Sequence, residues 1–143
     1  MSAQTQNDAT FQLVAYEQKW VDSLNRGDVA AADEVFAADC VIHITAGKAP
    51  DLSVADFKEM LRGFLAAFPD LHFSIEDQLI VGDKVALRWV ATGTHTAPLG
   101  DIPATGKHAL INGLVLDHIT NGQVSERWEQ WDHTSLLYQL GLL

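Results

Sequence analysis

Cysteine is almost absent from this chain: Cys40 is the only one in 143 residues. No intrachain disulfide can form, which suits a reducing compartment and makes the cytoplasm the expected location. Basic residues are scarce too, nine against 19 acids, for a formal charge of −10. Such a surface repels phosphate backbones and anionic headgroups, and no Lys/Arg cluster overrides it. Neither nucleic acid nor a membrane is an expected partner. No apolar run nears the roughly 18 residues that a membrane helix needs. The N-terminus lacks a basic region followed by an apolar core, so no secretory signal is expected.

Further absences narrow the chemistry. His43, His72, His95, His108, His118 and His133 are scattered along the chain, with none at a metal-site spacing such as H-E-x-x-H. No metal site is expected. There is no G-x-S-x-G elbow, and Cys40 precedes an apolar strand, where burial is expected over reactivity. Gly93, Gly100 and Gly106 lack the spacing of a phosphate-binding loop. Nothing calls for a cofactor.

What is present fits one domain, since a chain this long can bury roughly 70% of its unfolded surface. Residues 1–9 read as a loosely held N-terminus and 10–143 as a single folded unit. Helical spacing runs over 10–25, where Phe11, Val14, Val21 and Leu24 share a stripe flanked by Leu13, Tyr16 and Trp20. Asp28 can cap a second helix reaching Phe36. Residues 40–45 alternate as a strand. Ser53-Val54-Ala55-Asp56 has the form of a capping box, opening a helix whose Phe57, Met60, Leu61, Phe64 and Phe68 form a stripe that Pro69 stops. From Leu71 the period changes to two. Leu71, Phe73, Ile75 and Leu79 alternate with polar residues, and 84–95 and 108–131 continue as long strands. Asn121-Gly122 is the pair that a two-residue type I′ hairpin turn wants. Helices, a strand, a helix and then four consecutive antiparallel strands make an α+β fold, a curved sheet against three helices of the N-terminal half.

The last strand carries the chemistry. Glu126, Trp128, Glu129, Trp131 and Asp132 fall within seven residues. Carboxyls beside large aromatics belong either to a solvated edge or to the wall of a pocket. Against apolar surface a carboxyl's charged form is disfavoured, which suits proton transfer at carbon next to a carbonyl. Glu129 and Asp132 are the candidates, and strand alternation places them on opposite faces unless a bulge intervenes. The alternative reading pairs them with Arg127, Arg88 or water. His95 and His43 are the histidines expected to face a cavity, as donors to a developing enolate oxygen. Tyr16 and Asn112 are further donor candidates. Trp20, Phe57, Met60, Phe64, Trp128 and Trp131 are candidate walls of the binding pocket, each also readable as plain core.

The segments Phe68-Pro69-Asp70, Gly93-Thr94-His95-Thr96, Ile102-Pro103-Ala104-Thr105-Gly106 and Trp128-Glu129-x-x-Asp132…Gln139-Leu140-Gly141 together resemble the SnoaL-like polyketide (ester) cyclases of the nuclear-transport-factor-2-like superfamily. The resemblance implies a cone-shaped fold around a deep apolar pocket, a homodimer packed through the sheet, and cofactor-free aldol closure by an acid on the final strand. It places Glu129 where those cyclases carry their catalytic aspartate. It also places Val115 where they carry a histidine, a role for which His95 is the nearest substitute. Asp132 fits the family pattern directly. Relatives that hydrolyse epoxides use an Arg-x-Asp on the long middle strand, and here Trp89-Val90 follows Arg88.

The expected function is therefore cofactor-independent acid/base chemistry (aldol, enolisation or dehydration) on a small apolar carbonyl compound. The rival is a non-catalytic module that binds an apolar ligand or dimerises, with epoxide hydrolysis behind both.

Overall fold

The structure is a computed structural model that describes residues 16–44 and 50–143. Expectations for residues 1–15, including the Phe11–Val14 part of the first stripe, and for residues 45–49 lie outside the described residues. Helix α1 covers 16–25 and buries Trp20, Val21 and Leu24. The Asn25 side chain ties its end to the sheet, donating to the Phe73 carbonyl at 2.9 Å and accepting from the Phe73 N–H at 2.7 Å.

The second helix is shorter than its sequence suggests. Asp28 does not cap it: Oδ1 instead receives the Ser23 hydroxyl and the Ala30 N–H, closing the turn after α1. Helix α2 is only Ala32–Val35. Strand β1, Phe36–Ile44, begins at once and four residues earlier than expected. Helix α3, Val54–Ala67, starts on the expected capping box, with Ser53 Oγ accepting from Asp56 N–H at 3.1 Å.

Strands β2 (His72–Val81), β3 (Lys84–Thr94), β4 (His108–Thr120) and β5 (Gln123–Trp131) follow, with a closing helix α4 (His133–Gln139). They form one curved, open sheet in the order β1-β5-β4-β3-β2. The four consecutive strands are antiparallel, as expected, whereas β1 joins the edge of β5 in parallel. Asn121 (φ 51°) and Gly122 (φ 77°) both sit in the left-handed region, which a type I′ turn requires.

One strand departs from its sequence pattern. The register of β2 slips between Ile75 and Asp77, and a one-residue slip exchanges the two faces. Phe73 and Ile75 therefore face the core, but Leu79, expected beside them, is 70% exposed.

The helices pack on the inner, buried face of the sheet. Trp20, Phe36 and Phe57 pack edge to face, with ring centroids 5.3 and 5.7 Å apart for Trp20–Phe36 and Phe36–Phe57. At the other end, Leu136 of α4 and Leu140 just after it close over Ala67, Phe68 and Ala109. Among the described residues no helix is long and apolar enough to cross a membrane.

Candidate active site

Strand parity sets the site. On β5, Arg127, Glu129 and Trp131 point inward, while Glu126, Trp128 and Gln130 point outward. Residues 109, 111, 113, 115 and 117 of β4 share the inner face. Asp117 stands opposite Arg127 in register, and Val115 stands opposite Glu129.

Glu129 is 8% exposed and reaches the interior with Trp89 of β3 beside it. Burial raises its pKa above the ordinary carboxylate range. The Arg127 charge opposes that shift, the Asp117 charge adds to it, and the neighbouring Trp89 indole opposes it. Two small cavities meet at this residue. The first, about 60 Å³, is apolar, walled by Met60, Phe64, Phe68, Ile111, Trp131 and Leu136. The second, about 40 Å³, is bordered by Trp20, Phe57, Val115, Glu17 and Arg127. Glu129, Trp89, Leu61 and Phe73 line both. These four side chains are the wall that the two cavities have in common.

Beneath Glu129 lies a buried ionic cluster. Arg127 grips Asp117 through two parallel bonds, Nε to Oδ1 and Nη2 to Oδ2, each 2.7 Å. Nη2 also donates to Glu17 Oε2 at 3.2 Å, and the guanidinium carbon sits 4.9 Å above the Phe36 ring. Burial disfavours the Arg127 charge, but Asp117, Glu17 and Glu129 outweigh it and keep the group protonated. Burial and then the Asp117 charge push the Glu17 carboxyl well above its usual range, against the opposing pull of Arg127. Burial also pushes the Cys40 thiol up to about 11, so it rests as an inert thiol.

The structure gathers some of the candidates and separates others. Met60, Phe64 and Trp131 line the first cavity, and Trp20 and Phe57 line the second. Asp132 is exposed and caps α4, its Oδ1 accepting from Ser135 N–H at 2.9 Å. His95 is fully buried but borders neither cavity, because Phe68 of the first cavity's wall stacks on its ring at 5.1 Å. Thr105 N–H donates to His95 Nδ1 at 3.2 Å, so the neutral ring carries its proton on Nε2.

His43, expected to face inward, faces outward. Paired in register with Trp128, it stacks on that ring at 5.0 Å and lies between Asp51 and Glu126, 2.8 and 2.6 Å away. The bonds to Glu126 and then Asp51 raise its pKa. Asn112 is exposed on the same outer face, since its even number on β4 sets it opposite Val90 rather than inside. Trp128 is likewise on the outside, and Tyr16 sits near the hairpin turn at Gly122.

Glu17, Asp117 and Arg127 were not among the sequence candidates. Glu17 carries a readable signal: it occupies i of the i, i+3, i+4, i+7 stripe completed by Trp20, Val21 and Leu24. An acid on an apolar stripe has to be paired or neutral.

The profile of the SnoaL-like polyketide cyclases matches residues 14–140. No functionally curated protein matches significantly. Among solved structures, the chain is similar to AclR, a candidate hydroxylase from Streptomyces galilaeus, at 27% identity and TM-score 0.81, covering 92% of this chain and 96% of that one. IdmH, a candidate polyketide cyclase from Streptomyces antibioticus, is 30% identical at TM-score 0.79, covering 91% and 99%. A candidate polyketide cyclase from Bacillus cereus ATCC 10987 is 26% identical at TM-score 0.76, covering 92% and 82%. The match spans nearly all of the described fold, and this chain belongs to the SnoaL-like polyketide cyclase family.

Proposed function

We propose that the protein catalyses a cyclase-type, cofactor-independent proton transfer on an apolar carbonyl compound, with Glu129 as the acid/base. The observation that carries this reading is a buried carboxyl with a raised pKa at the wall of an apolar cavity. In its ionised form Glu129 removes a proton from the carbon next to a carbonyl. The enolate carbon then attacks a second carbonyl of the same molecule, and the proton passes from Glu129 to the new alkoxide. One carbon–carbon bond forms and nothing is lost. Met60, Phe64 and Trp131 supply the apolar wall. A cavity of about 60 Å³ is well below the roughly 300–1,000 Å³ of pockets that hold drug-sized ligands. A larger substrate therefore seats by displacing Leu61 or Phe73, which merges the two spaces.

The test is hydrogen–deuterium exchange at the α-carbon of a panel of enolisable ketones and β-keto esters in D2O, followed by NMR. Glu129→Gln is expected to lower any enzyme-dependent exchange by about 100-fold or more. Equal exchange by the variant and the native protein would rule out Glu129.

A homodimer through the sheet belongs to the same proposal. Its support is the outer face, where Leu79, Leu114 and Leu116 are 70%, 60% and 40% exposed. Sedimentation of the native chain against Leu114→Glu should show a dimer dissociating, and a native monomer would exclude it.

A further inference from the structure

Gln78, Trp89, His95 and His133 each hold a buried side-chain nitrogen with no hydrogen-bond partner among the described residues. Of these four, only Trp89 borders the two cavities that meet at Glu129. Trp89 is 8% exposed, and an indole N–H can only donate. Burying such a donor without an acceptor is unfavourable. Its place in a cavity wall therefore calls for an acceptor oxygen on whatever enters.

Register explains how a β3 side chain comes to lie beside a β5 carboxyl. Trp89, Gly113 and Trp131 stand in one row across β3, β4 and β5, and Leu87, Val115 and Glu129 stand in the next. The whole of β4 thus separates Trp89 from Glu129, two strand spacings or roughly 10 Å. Gly113 leaves the inner face of β4 bare at that point. The indole edge takes the space, with Nε1 2.8 Å from where a Cβ at 113 would stand. The ring reaches across β4 toward Glu129, near enough to favour its charged carboxylate against the burial that disfavours it. The donors that the sequence offered stand elsewhere: His95 borders neither cavity, and His43 and Asn112 lie on the outer face. Removing a proton next to a carbonyl puts negative charge on the carbonyl oxygen, and in an apolar cavity that charge needs a donor already in place.

We propose that Trp89 is a catalytic residue whose Nε1–H donates a hydrogen bond to the substrate's carbonyl oxygen and holds the enolate that Glu129 generates. As Glu129 takes the α-proton, the C–H electron pair becomes a carbon–carbon double bond. The carbonyl π pair moves onto oxygen, which accepts the indole N–H. Trp89 gives up no proton and is unchanged at the end. The enolate oxygen and the carbon that lost the proton are joined through one carbon, so donor and base have to be neighbours, as these two are. A phenolate is the stable mimic of this ligand, since its oxygen also stands on an unsaturated carbon. The inference rests on the Glu129 reading above and adds the group that receives the oxygen.

Indole N–H NMR of the full chain is the first test, with the Trp89 signal assigned by its loss in Trp89→Phe. Adding 4-nitrophenolate should move that signal downfield, and nitrobenzene, which lacks the oxygen, should not. A signal that phenolate leaves in place overturns the proposal. So does an equal downfield shift on ionising Glu129 in the ligand-free chain, because the N–H would then belong to the carboxylate. The second test is α-proton exchange. Trp89→Phe keeps an aromatic ring and removes the donor, and it should lower kcat by about 100-fold with KM changed far less. Replacing Trp89 by benzothienylalanine, in which sulfur stands for the N–H within the same bicyclic outline, separates the donor from its packing. It should give the same loss, and full activity of that chain overturns the proposal. If Glu129→Gln retains exchange, the functional reading fails, while the phenolate shift at Trp89 remains separately measurable. If Glu129→Gln loses exchange and the Trp89 replacements keep it, this inference alone fails.

Discussion

The indole of Trp89 lies directly on the bare backbone of Gly113, its partner across β3 and β4; a Cβ at position 113 would stand 2.4 Å from Cζ2 of that ring. This glycine is required for space rather than for backbone freedom. The vacancy lets Trp89 lie flat inside the sheet, where it borders Glu129 and both cavities. Gly113→Ala should destabilise the fold by about 1–3 kcal/mol through overpacking, measured by urea denaturation. It should also move the Glu129 carboxyl resonance, because the indole has to shift.

Arg127→Met should be more damaging. It leaves Asp117, Glu17 and Glu129 buried without their cation, and removing one partner of a buried pair costs about 3–5 kcal/mol. Chemical denaturation at neutral pH checks this. A loss below about 1 kcal/mol would place the pair in the class of solvent-screened surface bridges.

Stability should fall as pH rises through the raised values of Glu17 and Glu129. Both pKa values are higher in the folded chain than in the unfolded one. The folded state therefore holds protons that the unfolded state releases. The stabilising contribution is complete below the ordinary carboxylate range and is lost above the raised values. Denaturation midpoints measured across pH should slope downward in the native protein. The slope should flatten in Glu17→Gln and Glu129→Gln.

His43 contributes with the same sign in a higher window. Its pKa is raised by Glu126 and Asp51, so its stabilisation is full below the ordinary imidazole value and disappears as pH rises through the raised one. His43→Gln should remove that component of the pH profile. Because the side chain lies on the outer face, proton exchange at a substrate should not change.

Asp132→Ala separates the two acids of the last strand. Losing the cap of α4 should cost about 1 kcal/mol, read as a lower melting temperature. Exchange activity should survive, since Asp132 is exposed and borders neither cavity. Loss of exchange in a folded Asp132→Ala would return catalysis to that residue.

Local chemistry was legible in the sequence by itself. The Ser53–Asp56 box, the Phe57–Phe64 stripe and Pro69 specify α3 through contacts a few residues apart. Asn121-Gly122 specifies its hairpin for the same reason. On β5 the sequence named Glu129 and Asp132 alike, and Trp128 alongside Trp131, without deciding which of them turn inward.

What escaped depended on register. An unbroken count from the Thr120↔Gln123 pair would set Asp117 against Glu126, two like charges. The slip between His118 and Ile119 sets it against Arg127 instead and creates the buried cluster. The slip in β2 turned Leu79 outward, and the pairing of β1 with β5 turned His43 outward. A bulge is a single extra residue with no compositional mark of its own, yet it exchanges the faces of everything beyond it. The sequence by itself determined which elements form and that an acid on the last strand meets apolar surface. Only the tertiary structure decided which charges share the interior, because that depends on how distant strands align.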